Sequence, residues 1–150
     1  MTRAIEAIEF ESMLLGRHLS PMKPHADGLQ RLERSARTLL ARLVLEGPMS
    51  VPQLSEAFGL DASTLSRQTN AMIKAGLIER IADLGGGLAR KLQVTEEGRR
   101  RLAEERQANV AGMRGVFEHW SPEELSTLAR LMRKYNSDIE RREGRSWPRP

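Results

Sequence analysis

Leu54-Ser55-Glu56-Ala57-Phe58-Gly59-Leu60-Asp61-Ala62-Ser63-Thr64-Leu65-Ser66-Arg67 is the stretch that decides how this chain folds. Leu54, Ala57 and Phe58 lie on one side of a short helical segment that stops at Gly59. A glycine there allows the positive φ of a sharp corner. Upstream, Ser50-Val51-Pro52-Gln53 has the form of a capping box, in which the hydroxyl meets the N3 amide and Gln53 reaches back. Downstream, Asp61 is a good N-cap for a second helix over about 62–75, closed by Gly76. Leu65, Thr69, Met72 and Ile73 share one face of that helix. Ser63, Arg67, Asn70 and Lys74 share the opposite face, flanked by Thr64 and Ser66. Ser55 is small enough to sit where the two helices cross.

Working outward, Leu77-Ile78-Glu79-Arg80-Ile81 and Lys91-Leu92-Gln93-Val94 read as two short strands around Gly85-Gly86-Gly87. Two short helices joined at a glycine and followed by a hairpin make a winged helix-turn-helix. Before it, a helix over 29–46 carries Leu32, Ala36, Leu39, Leu40 and Leu43 on one side, with Arg31, Arg34 and Arg42 opposite. Ser20 to Gly28 reads as a loop, preceded by a helix over 4–19. After the hairpin, Thr95-Glu96-Glu97 begins a helix expected to reach Trp120, about 39 Å on. Ser121-Pro122-Glu123-Glu124 starts the last helix. The expected class is mainly α with a small β-hairpin wing, a winged helix-turn-helix core flanked by N- and C-terminal dimerisation helices. A single domain is expected over 1–150, with the core at 48–98 and supporting helices at 4–46 and 99–140. Residues 141–150 are expected to be a basic tail of net charge +3 with little packed structure.

The 24 Lys and Arg exceed the 20 Asp and Glu by only four, and no cysteine is present. That excludes a disulfide framework, cysteine-ligated zinc and thiol redox chemistry. No apolar run approaches a membrane span, and Glu6, Glu9 and Glu11 interrupt any secretory leader, so a cytoplasmic protein is expected. His18, His25 and His119 lack ligand spacing, and no metal or resident cofactor is expected. Arg supplies 20 of the 24 cations, and its planar fork suits phosphate and guanine edges. Yet Gly47–Leu77 is neutral, with Arg67 and Lys74 against Glu56 and Asp61. Any affinity for nucleic acid therefore rests on a few placed cations.

The Ser63, Arg67, Asn70 and Lys74 face offers hydroxyls, a carboxamide and cations without a carboxylate. Such a face suits the major groove, where Arg forks onto guanine, Asn onto adenine, and hydroxyls meet phosphates or base edges. Two further runs complete a pattern with the opening stretch: Met72-Ile73-Lys74-Ala75-Gly76-Leu77-Ile78-Glu79-Arg80 and Val94-Thr95-Glu96-Glu97-Gly98. With them, residues 48–98 resemble the winged-helix core of the MarR (multiple antibiotic resistance regulator) family of bacterial transcription factors. The flanking helices extend the resemblance over about 4–140. It implies a homodimer on a pseudo-palindromic double-stranded operator, controlled by a small aromatic or anionic effector.

A dimer is also suggested by two 3-4-3-4 seams: Ile5, Ile8, Leu15 and Leu19 near the N-terminus, with Ser12 at the middle position, and Leu125, Leu128, Met132, Tyr135 and Ile139 near the C-terminus. The wing departs from the family pattern, since Gly86 and Gly87 stand where an Asp and an Arg are usual. Arg80, Arg90 and Lys91 are then its candidate DNA contacts. Arg106 and Asn109 interrupt the apolar stripe of the long helix and are candidate effector contacts. No nucleophile elbow, phosphate loop or His-Glu-x-x-His motif supports an enzyme. A winged helix that binds protein instead of DNA would need an apolar or acidic reading face.

Overall fold

A computed structural model describes residues 1–19, 32–82, 85 and 90–150. Helix α1 (Thr2–His18) is one compact unit, and the chain from Leu32 onward is another. The second unit contains α2 (Arg34–Glu46), α3 (Val51–Phe58), α4 (Ala62–Lys74), β1 (Ile78–Ile81), β2 (Lys91–Val94), α5 (Glu96–Val116) and α6 (Pro122–Glu143). The loop expected over Ser20–Gly28 and the wing tip at Gly86 and Gly87 lie outside the described residues. The fold is the mainly helical, winged helix-turn-helix class that the sequence points to.

The local signals act as their chemistry requires. The Gln53 amide donates to Ser50 Oγ at 3.3 Å, and the Ser50 amide donates to Gln53 Oε1 at 2.9 Å. The same reciprocal box opens α6, between Ser121 and Glu124. Gly59, at φ +64°, turns α3 into α4 in the left-handed region. One core of Leu39, Leu40, Leu43, Leu54, Leu65, Met72, Leu77, Ile78, Leu92 and Val94 joins α2, α3, α4 and the hairpin. The strands pair antiparallel, with Ile78 opposite Val94 and Arg80 opposite Leu92. Met49, in the link between α2 and α3, exchanges two backbone hydrogen bonds with Leu92 and so covers the free edge of β2.

The start of α5 explains the Val94-Thr95-Glu96-Glu97-Gly98 run. Thr95 Oγ1 donates to the Gly76 carbonyl at 2.6 Å while accepting from the Gly98 amide at 3.0 Å. The Thr95 amide donates to the Leu77 carbonyl at 3.1 Å. One residue thus caps α5 and fastens it to the turn leaving α4. The helix ends at Val116, short of the expected Trp120, and beyond it Phe117 and Trp120 meet edge to face at 5.1 Å.

Two expectations are corrected together. Residues 141–150 are not a loose tail, and Arg42 does not lie on the solvent face of α2. After Gly144, at φ +69°, the chain folds back so that Trp147 meets Phe58 edge-on, 5.4 Å between centroids. The Arg42 guanidinium lies 5.0 Å from the Trp147 ring, and its Nη1 donates to the Ser146 carbonyl at 2.9 Å. Its Nε donates to Glu46 at 2.7 Å, leaving Arg42 only 6% exposed. Arg149 pairs with Glu140, which also accepts from the Trp147 amide at 3.1 Å. Arg149 foremost, then that amide, hold the Glu140 carboxyl below its ordinary range. A charged residue is tolerated at a buried position here because Nε and Nη1 have acceptors and the guanidinium lies against an indole ring.

Candidate nucleic-acid interface

Recognition requires a helix held rigidly by one face and open on the other. Leu65, Thr69 and Met72 are buried along the inner face of α4, and Leu65 meets an equally buried Leu54 from α3 within the core. Ser55 closes the corner by donating its hydroxyl to the Leu60 carbonyl. On the outer face Ser63, Arg67, Asn70 and Lys74 are exposed, with Thr64 and Ser66 half-buried beside them. The six α4 side chains singled out in the sequence therefore stand on or beside one accessible face.

Asp61 organises the leading end of that face. Its carboxylate accepts from the Thr64 amide at 2.8 Å, from Thr64 Oγ1 at 3.0 Å and from the Ser63 hydroxyl. Those bonds, the Ser63 hydroxyl foremost, lower its pKa from 3.8 to about 2. Ser63 and Thr64 thus present oxygen lone pairs outward while their protons serve the cap. The sequence marks Asp61 as a cap but does not reveal that it engages both hydroxyls.

The hairpin adds the wing. Arg80 lies two residues after buried Ile78, on the helix-facing side of β1, and its Nη2 donates to Asn70 Oδ1 at 2.6 Å. Glu79 points to the other face and accepts from Gln93 at 3.1 Å. Arg90 is exposed and Lys91 half-buried, at the foot of the returning strand. So the structure brings Asn70 and Arg80, placed separately by the sequence, into one pair.

The remaining candidates divide. Ile5, Ile8, Leu15 and Leu19 on and just after α1 are exposed, as are Met132, Tyr135 and Ile139 on α6, with Leu125 and Leu128 half-buried. On α5, Asn109 is half-buried one turn beyond Glu105, whereas Arg106 faces solvent. Glu105 escaped sequence reasoning. It is 4% exposed, accepts from the Leu32 amide at 3.3 Å and stands 3.9 Å from Arg37, joining the start of α2 to α5. Its only sequence signal is the spacing from Gly98 and Leu102 on the inward stripe. An open groove of about 700 Å³ runs between α2, α3 and residues 143–146, and neither Arg106 nor Asn109 lines it.

A helix-turn-helix with a hairpin packed beside its second helix, and an exposed cationic face on that helix, defines the winged class of DNA-binding regulators. Residues 27–87 match the sequence profile of the MarR family. An uncharacterised HTH-type transcriptional regulator of Bacillus subtilis (strain 168), YxaD, is 31% identical over 132 residues, 88% of this chain and 92% of that protein. The chain belongs to the MarR family, whose members are transcriptional regulators and not enzymes. Its fold is similar to a MarR family protein from Bacillus stearothermophilus, with TM-score 0.68 and 22% identity over 92% of this chain and 91% of the other. It is also similar to the PcaV transcriptional regulator of Streptomyces coelicolor, solved with its natural ligand. There the TM-score is 0.55 and identity 21%, over 73% of this chain and 78% of that one. Among the described residues, no helix is long and apolar enough to cross a membrane.

Proposed function

We propose that the chain is a ligand-responsive repressor that binds a pseudo-palindromic DNA duplex as a homodimer. The observation that carries the reading is the exposed face of α4 on a rigid helix-turn-helix, which has no carboxylate of its own and whose neighbouring Asp61 is engaged in the helix cap. Arg67 is the principal base reader and Asn70 its neighbour. Ser63, Thr64, Ser66 and Lys74 meet the backbone or base edges, and Arg80, Arg90 and Lys91 extend the contact along the wing. An apolar or acidic face would favour a protein partner instead, and this face is neither.

Two-fold pairing has its own support. Ile5 and Ile8 of α1 and Met132 and Tyr135 of α6 leave large apolar surface exposed in the single chain. A symmetric partner covers such seams and sets recognition helices about 34 Å apart, one turn of the duplex. An effector that alters the two-fold pairing changes that spacing and releases the operator. Arg106 and Asn109 are its candidate contacts, and the PcaV structure, solved with its natural ligand, supports a bound ligand as the signal.

Gel-shift titration of Arg67→Ala against the operator upstream of the gene tests the reading. The variant is expected to lose about 1–3 kcal/mol of site-specific affinity and to relax preference at one base pair, with the dimer intact. Unchanged affinity overturns the assignment of the reading face.

A further inference from the structure

An unpaired asparagine reads adenine because its oxygen accepts from N6 while its amine donates to N7. In this structure one of that oxygen's two acceptor sites is taken by a cation. The Arg80 guanidinium is a donor only, so Asn70 must turn Oδ1 towards it, and the 2.6 Å contact fixes which end of the amide is which. Asn70 Nδ2 then faces away from the wing with two donor hydrogens. An adenine N6 amino group approaching Oδ1 would bring a donor against a cation. Strand register makes the pair possible, because Arg80 shares the helix-facing side of β1 with Ile78. A slip of one residue would put Glu79 there instead.

We propose that Asn70 and Arg80 act as one donor-only reading unit, with Arg80 setting the amide of Asn70 so that it selects guanine over adenine. Guanine presents two acceptors, O6 and N7, on its major-groove edge, and no donor in that position. Arg80 is thus a specificity-positioning residue in addition to any phosphate contact. In water an exposed bond of this kind contributes little, but groove entry removes the water that competes with it. This inference rests on the DNA-reading function proposed above.

The test is selection from a duplex library randomised across the operator, using the full chain as wild type, Asn70→Ala, Arg80→Ala and the double variant. Asn70→Ala identifies the base pair that Asn70 reads by flattening preference there. Wild type is expected to choose guanine at that pair, and Arg80→Ala to move preference towards adenine by about tenfold. In the double variant Arg80 is expected to have no further effect at that pair. Melting curves of the variants confirm folding, which the exposure of both side chains favours. Two results overturn the proposal while leaving DNA reading intact: wild-type preference for adenine at that pair, or an Arg80→Ala variant that weakens all sequences equally with a shallower salt dependence. Absence of any selected sequence with wild type overturns the DNA-reading function itself and this inference with it.

Discussion

Alanine usually stabilises a helix relative to glycine by about 1 kcal/mol, and Gly98 lies in the first turn of α5. A Cβ there would overlap the Leu77 carbonyl oxygen and stand 2.9 Å from Val94 Cγ1. Gly98→Ala is therefore expected to destabilise by about 2 kcal/mol, read from urea unfolding, because backbone must shift to admit one methyl. A stabilising result would show that the α5 junction is looser than its geometry. Asp61 makes a pH-dependent prediction. Its folded pKa of about 2 lies below the ordinary 3.8, so its contribution is complete above 3.8 and fades as pH falls through about 2. Asp61→Ala is expected to melt below wild type at pH 7, with the gap closing between pH 4 and pH 2. A gap constant over that range would remove the carboxylate's charge from the account. Asp61, Gly59 and the Ser50 box were legible in the sequence because caps depend on neighbours within a few residues. Glu105 was not, because its amide partner at Leu32 is far away along the chain.

Among elements, the fold-back of residues 144–149 changes what α6 does. No residue of α6 is buried. Beyond it, Trp147, Ser146 and Arg145 reach α2 and the α3–α4 corner, where the Arg145 guanidinium lies 2.7–3.0 Å from the position a Cβ on Gly59 would occupy. The end of α6 is thereby fastened to the helix-turn-helix corner. Trp147→Ala removes the ring against Phe58 and opens Arg42 to water. It is expected to cost about 2 kcal/mol, less than a fully buried tryptophan because Trp147 is only partly buried. Urea titration checks it, with a lower midpoint and an unchanged slope. An unchanged midpoint would leave the fold-back without a stabilising role. Composition hid this feature: four arginines and two prolines in ten residues suggest solvated chain. Trp147 finds Phe58 only once α6 has set the distance between them.

For the whole molecule, a net charge of +4 and a neutral Gly47–Leu77 segment mean that no broad basic surface drives association. Each half-site offers Arg67, Lys74, Arg80, Arg90 and Lys91 as candidate phosphate or base contacts. If all engaged phosphate in a dimer, log K against log salt would fall with a slope of about −9. The expected slope is shallower, since Arg67 is assigned to bases and Arg80 to Asn70. Fluorescence anisotropy at several salt concentrations measures it, and a slope steeper than about −9 would require cations outside this set. Non-specific binding is expected to be weak for the same reason.

The amino-acid order by itself determined the helix-turn-helix, its caps and corner glycine, the hairpin, and the inward and outward faces of α4. All of these follow from periodicities and capping contacts that operate over a few residues. Tertiary structure alone decided that Arg42 and Glu105 are buried charges, that the C-terminal segment packs on Phe58, and that Asn70 and Arg80 form one pair. Each depends on side chains from separate elements meeting across the folded chain, where register and helix length set the distances.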